Sequence, residues 1–166
     1  MLQQNKAESV SLFAVLASRG SMDIIEKSLE IALKAYSGQL DKAGKPYILH
    51  PLRIMSKMDC EYEMSVALLH DVIEDSDYSC EDLIAEGIPF EVVEAVQFLT
   101  KIDGEPYDQF IDRVIGNVLA VKVKLADIED NINLLRLDLI GEKDLERVTK
   151  YHKAWKKLTR LQRGLI

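Results

Sequence analysis

The chain has 166 residues, 48% of them hydrophobic and 30% charged, which excludes a disordered tail or a disulfide-stapled scaffold and fits one compact domain. Its 21 Lys and Arg against 28 Asp and Glu give a formal charge of −7, which argues against a general nucleic-acid or anionic-membrane surface. Cys60 and Cys80 form neither a CxxC pair nor a disulfide framework, and no apolar run approaches the ~20 residues of a membrane span. The reading is a soluble cytoplasmic protein.

Helical spacing runs through nearly the whole chain. Val10, Phe13, Ala14, Leu16 and Ala17 make a first apolar stripe, and Ile24, Ile25, Leu29, Ala32, Leu33 and Tyr36 a second, with Asp23 or Ser21 as its cap. Residues 37–46 contain Gly38, Gly44 and Pro46 among charged groups and read as a loop leading into His50. Ile48, Leu52, Met55 and Met58 then recur along a face, with Pro51 tolerable in an early turn.

The next helix is expected over residues 61–73, followed by a polar stretch at 75–79. Ser79 and Asp82 have capping-box spacing for a short helix that Gly87 ends. Pro89 starts a helix to about Lys101, and Asp103, Gly104 and Pro106 make a turn before the helix or helices of residues 107–138. Val121 and Val123 alternate with Lys122 and Lys124 as a strand would, but no second run resembles a sheet neighbour, so a buried helix is expected. A last helix over 141–161 carries Leu145, Val148, Tyr151, Trp155 and Leu158. The fold class is all-α.

The chemistry concentrates in polar groups set into apolar helices. His70-Asp71 closes the run Ala67-Leu68-Leu69, where a charged pair is costly unless compensated; on one continuous helix His70 and Glu74 lie at i and i+4, as do Asp71 and Asp75. Asp127, with Asn131 four residues on, repeats the pattern after Val123-Lys124-Leu125-Ala126. Singly, each has an ordinary reading: His70-Asp71 as a helix-end ion pair, His50 as a turn residue, Asp127 as a core carboxylate paired with Lys122 or Lys124. Together, His50, His70, Asp71 and Asp127 supply two imidazoles and two carboxylates without a thiolate, a set that suits Mn²⁺, Fe²⁺, Mg²⁺ or catalytic Zn²⁺. Glu74 or Asp75 could then orient water or carry its proton. Lys101, Tyr107 and Arg113 could extend a phosphate-facing surface, although each also reads as an ordinary surface group, and Trp155 reads as packing.

These motifs resemble the HD-domain phosphohydrolases, and among them the hydrolase domain of the Rel/Spo enzymes and their small stand-alone relatives that degrade (p)ppGpp. The resemblance runs from about Ile31 to Leu137. It rests on Gly38-Gln39-Leu40-Asp41-Lys42-Ala43-Gly44-Lys45-Pro46-Tyr47-Ile48 ahead of His50-Pro51, on Ala67-Leu68-Leu69-His70-Asp71-Val72-Ile73-Glu74-Asp75, and on Val123-Lys124-Leu125-Ala126-Asp127 with Asn131.

The resemblance implies a helical HD-domain bundle with His50, His70, Asp71 and Asp127 as ligands of Mn²⁺ or another divalent metal. It makes Glu74 and Asp75 the acidic pair that positions and activates water, and places Lys42, Lys124 and Asn131 around the substrate. The implied reaction removes the 3′-diphosphate of (p)ppGpp, leaving GDP or GTP and pyrophosphate. Two positions depart from the family pattern: Asp41 stands where a basic residue usually precedes the loop lysine, and Asp127-Ile128-Glu129-Asp130-Asn131 stands where Asp-Arg-Leu-His-Asn is usual. An acidic loop and an acidic turn are expected to make the mouth less welcoming to a highly charged nucleotide.

The expected organisation is a single hydrolase-type domain over 1–166, its motif-bearing core at about 31–137, with no synthetase-like segment after it. The expected partner is a small nucleotide or phosphate ester, with no nucleic acid and no membrane; the first helices could also form a homo-oligomer face. Two alternatives stand beside the alarmone reading: hydrolysis of another nucleotide or small phosphate ester, and a metal-stabilised binding or regulatory module without turnover.

Overall fold

The computed structural model describes residues 23–164, apart from the side chains of residues 161–163, so the apolar stripe at residues 10–17 and Ser21 lie outside the described residues. Helix α1 (Ile24–Ala35) opens on a reciprocal capping box: Asp23 Oδ1 accepts the Ile25 amide at 2.8 Å while Glu26 reaches back to the Asp23 amide. The loop that follows turns at Gly38 and Gly44, both at positive φ, and its only strand-like pairing is one isolated bridge between Leu40 and Pro46. It delivers the chain into α2 (Leu49–Met55), where Pro51 sits in the first turn and loses no intrahelical bond.

The helix expected over 61–73 is two. Helix α3 (Glu61–Leu69) ends at His70, and α4 (Val72–Asp75) starts after Asp71, whose φ of −107° and ψ of 0° take the chain out of the helix. The His70 ring folds back so that Nδ1 donates to Ala67 O at 2.8 Å. His70 and Glu74 therefore do not share one helical face. Past the break, Asp71, Glu74 and Asp75 line one cleft with Lys42, while His70 stays buried beneath it.

Helix α5 (Cys80–Ala85) has the expected Ser79–Asp82 capping box and ends at Gly87, φ +84°. Helix α6 (Phe90–Leu99) follows Pro89, and α7 (Tyr107–Val114) follows Pro106. Gly116 separates α7 from the next helix: a Cβ there would come within 2.8 Å of the Phe98 ring on α6, so any side chain at this corner would force that ring to move. Helix α8 (Val118–Asn131) covers the segment with strand-like alternation, capped by Asn117, whose side chain accepts the Ala120 amide at 3.0 Å. A 3₁₀ turn (Leu134–Arg136) leads to α9 (Glu142–Gly164).

The described residues form an all-α bundle without a β-sheet. Helix α3 is its axis: Val66, Ala67, Leu68 and Leu69 are fully buried, and the helix packs against α1, α2, α6 and α8. Each buried leucine contributes roughly 1.5–3 kcal/mol of transfer free energy, which holds the end of α3 rigidly enough to carry a polar group in the interior. Helix α8 is the second axis, touching α2, α3, α6, α7 and α9. No helix of the described residues is long and apolar enough to cross a membrane.

Candidate metal centre and cleft

Where the start of α2 and the end of α3 meet the C-terminal half of α8, three buried groups converge. His50 on α2, His70 at the end of α3 and Asp127 on α8 each offer a ligand atom, all within 4.8 Å of one another. His50 Nε2 is 3.3 Å from Asp127 Oδ1, and His70 Nε2 is 3.9 Å from the same oxygen. Asp71 stands beside them, its Oδ2 3.0 Å from His70 Nε2 and 3.9 Å from His50 Nε2, while the Tyr47 hydroxyl donates to that oxygen.

The hydrogen bonds of the two rings fit a metal ion. His50 Nδ1 faces Asp130 Oδ2 at 2.7 Å and His70 Nδ1 faces Ala67 O, so each Nδ1 carries a proton toward an acceptor and each Nε2 is left for the centre. His70 Nε2 is buried and makes no aligned hydrogen bond. An orphaned imidazole nitrogen is unfavourable in a protein interior, and a divalent cation on the nitrogen and carboxylate oxygens satisfies it.

Electrostatics agree. Burial alone would push the metal-free His50 down, but Asp127, Asp130 and Asp71 lift it to about 9; His70 rises for the same kind of reason, through Asp71 and Asp127. Burial likewise opposes ionisation of Asp127, yet Lys124 and the two imidazoles hold it well below the usual carboxylate range. Without a metal, the site takes up protons to balance its carboxylates; a divalent ion replaces them.

Above the centre lies a cleft of about 540 Å³. His50, Asp71, Glu74, Asp75, Lys42, Lys124, Asp127 and Asn131 all line it, so among the expected site residues only His70, fully buried beneath, lies off its surface. Glu74 accepts the Lys101 amide, and Asp75 has no ion-pair partner among the described residues. Burial pushes both carboxyls up, and the Asp71 charge pushes them further. Lys124 is taken up by Asp127 at 2.8 Å, and Asn131 Nδ2 donates to Asp127 Oδ1 at 2.5 Å, so both orient Asp127 as well as facing the cleft.

Lys101 and Tyr107 also line the cleft, and the Tyr107 hydroxyl is buried without a partner. Arg113 does not belong to it: its guanidinium grips Glu105 and the carbonyls of Gln97, Phe98 and Thr100 at the end of α6. Trp155 packs against the core and donates to Glu129.

The acidic turn does not face the mouth as expected. Ile128 is in the core, Glu129 pairs with Lys57 on the outside, and Asp130 is buried between His50, Arg53 and Arg136. Asp41 is likewise not a bare charge: Oδ1 accepts the Ala43 and Lys45 amides, and Oδ2 pairs with Arg136 at 3.2 Å. Sequence reasoning missed the far wall of the cleft, formed by Arg136, Arg147, Lys150 and Tyr151. A helical stripe of Arg147, Lys150 and Tyr151 at three-to-four spacing was the available signal.

No protein-family model matches the chain. Curated relatives do: a guanosine-3′,5′-bis(diphosphate) 3′-pyrophosphohydrolase of Vibrio cholerae is 32% identical over 69% of this chain and 18% of its own length. A GTP pyrophosphokinase of Myxococcus xanthus is 30% identical over 78% of this chain and 19% of its own. Among solved structures, one described as a metazoan ortholog of SpoT that hydrolyzes ppGpp and plays a role in starvation responses aligns with a TM-score of 0.61 at 23% identity, covering 88% of this chain and 98% of that one. The chain has an HD-domain-like helical fold related to the hydrolase domain of the Rel/Spo (p)ppGpp enzymes. It spans about a fifth of the length of these curated relatives. Their names include both a hydrolase and a kinase, so this Rel/Spo-related chain takes its chemistry from its own site.

Proposed function

We propose that residues 1–166 act as one metal-dependent hydrolase domain that removes the 3′-diphosphate of (p)ppGpp, releasing GDP or GTP and pyrophosphate, with Mn²⁺ as the metal. The observation that carries this reading is the pair of Nδ1-tethered imidazoles converging on Asp127 below a cleft with a largely cationic wall. His50, His70, Asp71 and Asp127 would hold the ion, which supplies Lewis-acid polarisation of a phosphate oxygen and acidifies water.

Glu74, whose carboxyl is pushed up by burial and makes one backbone hydrogen bond, takes the proton from the attacking water, and Asp75 orients it. Water oxygen attacks the phosphorus on the 3′ side, the P–O bond to the ribose breaks, and the freed 3′ oxygen takes up the proton that Glu74 removed from the water. Lys42, Lys101, Arg147 and Lys150 bind the polyphosphate; Lys124 and Asn131 face it while fixing Asp127. The relatives' names support a guanosine polyphosphate as the substrate.

A second reading, hydrolysis of another nucleotide or phosphate ester, draws on Asp41. No guanidinium extends from that position toward a base, because the carboxylate there is occupied by Arg136 and two loop amides. A binding module without turnover leaves Glu74 and Asp75 unexplained, since neither is needed to hold a metal.

The test incubates Mn²⁺-loaded protein with ppGpp and with nucleoside mono-, di- and triphosphates, products resolved by chromatography, beside His70→Ala and Asp71→Ala. GDP and pyrophosphate from ppGpp, absent with the variants, is the expected result. Turnover of a different phosphate instead replaces the substrate; no turnover by a metal-loaded protein favours the binding module.

A further inference from the structure

Asp130 stands where the family pattern has histidine, and its surroundings explain the substitution. It is 6% exposed, on the last turn of α8, three residues after Asp127. Its Oδ2 is 2.7 Å from His50 Nδ1; its Oδ1 accepts Arg53 Nε at 2.7 Å and its Oδ2 accepts Arg53 Nη2 at 2.9 Å, a bidentate fork. Arg136 closes the other side, with Nη2 2.9 Å from Asp130 O and 3.4 Å from Oδ2, and Nη1 3.2 Å from Asp41 Oδ2. Two arginines and two aspartates thus form a neutral quartet joining α2, the 3₁₀ turn, the end of α8 and the glycine-bearing loop.

We propose that Asp130 is a positioning residue for the metal centre: clamped by Arg53 and Arg136, its carboxylate fixes the His50 ring with Nε2 aimed at His70 and Asp127. A histidine that ligates through Nε2 needs its Nδ1 proton held by an acceptor, and a carboxylate fixed on both sides by arginines cannot rotate away. The quartet also assigns Asp41. Its carboxylate is the loop's anchor to Arg136, which sets Lys42, the next residue, at the cleft. The two departures from the family pattern, Asp41 and Asp130, are therefore parts of one structural unit, and neither presents an unpaired negative charge to substrate.

This inference rests on the metal-centre reading above, and the experiment separates the two. Mn²⁺ affinity is measured by calorimetry on chelator-stripped protein for the wild type, Asp130→Asn and Arg53→Gln, with circular dichroism confirming that each is folded. The expected result is a wild type that binds and an Asp130→Asn protein weakened by about 10–100-fold, with Arg53→Gln losing several-fold less. If removing Asp130 leaves the half-buried Arg53 without its main partner and the variant unfolds, the double variant Arg53→Gln/Asp130→Asn is compared with Arg53→Gln alone and is expected to bind Mn²⁺ more weakly; equal affinity overturns the positioning role. A folded Asp130→Asn protein that binds Mn²⁺ as tightly as wild type overturns the positioning role and leaves the metal centre standing. Equal weakening by Arg53→Gln and Asp130→Asn also overturns it, making the quartet a structural clamp only. A wild type that does not bind Mn²⁺ overturns both.

Discussion

His50 and His70 bring their rings to a centroid separation of 5.2 Å from two different helices, each with Nδ1 committed to a protein acceptor. The two Nε2 atoms are therefore preorganised before any ion arrives, and an ion that binds only the folded chain stabilises it. At 100 times its dissociation constant the gain is about 2.7 kcal/mol, or roughly 5–10 °C for a chain of this size. Thermal scans with Mn²⁺ and with EDTA should differ by about that amount in the wild type and coincide in His70→Ala.

Glu74 gives the reaction its pH dependence. Burial and the Asp71 charge raise its carboxyl above the ordinary 4.5, partly offset by the Lys101 amide and Lys124. A general base works only when deprotonated, so activity is present above the raised pKa and lost as pH falls through it. The acid limb of kcat/KM should have its midpoint above 4.5, and Glu74→Gln should lower kcat by at least 100-fold while still binding Mn²⁺ in calorimetry. A Glu74→Gln enzyme with wild-type kcat removes Glu74 from the mechanism.

Asn117 tests how far the site depends on one helix. Its side chain caps α8, which presents Lys124, Asp127, Asp130 and Asn131. Asn117→Ala should cost about 1 kcal/mol in urea unfolding and leave kcat nearly unchanged, because the first turn of α8 lies well before its metal-facing end. Leu68→Ala, in the fully buried axis of α3, should cost about 2–5 kcal/mol in the same measurement.

Apolar periodicity made the helices legible, and rejecting a strand over residues 118–126 was correct because α8 is buried against five neighbours, which makes Val-rich sequence look sheet-like. The break after Leu69 was not legible: Val72 continues the apolar run, and only the backbone of Asp71 leaves the helix. His70 and Asp127 stand out in the sequence because a histidine or aspartate amid leucine and alanine demands compensation, whereas His50 alone reads as a turn residue and gains weight only beside them; the structure brings the three together. Asp130 was misread for the opposite reason. Its partners, His50 and Arg53, lie 80 and 77 residues away, and a carboxylate in an acidic string looks solvated until the fold surrounds it with arginines. Arg113 shows the converse, a cation near the motifs that is taken up by the end of α6.

The cationic wall carries the last prediction. The chain is −7 overall, yet Lys42, Lys101, Arg147 and Lys150 gather along one cleft. Arg147 pairs with Asp144, while Lys42, Lys101 and Lys150 have no ion pair among the described residues. Burial lowers both Lys42 and Lys150 and neighbouring cations lower them further, with Asp144 offsetting part of the effect at Lys42. A polyphosphate relieves that repulsion on binding, before and during the reaction alike, so the benefit appears in KM more than in kcat. Lys150→Ala should raise KM for ppGpp by about tenfold with kcat within twofold, and raising NaCl from about 50 to 500 mM should raise the wild-type KM in the same direction by screening these exposed groups. The variant should respond less steeply to salt than the wild type. A KM insensitive to both salt and Lys150→Ala would mean that the wall does not contact the phosphates.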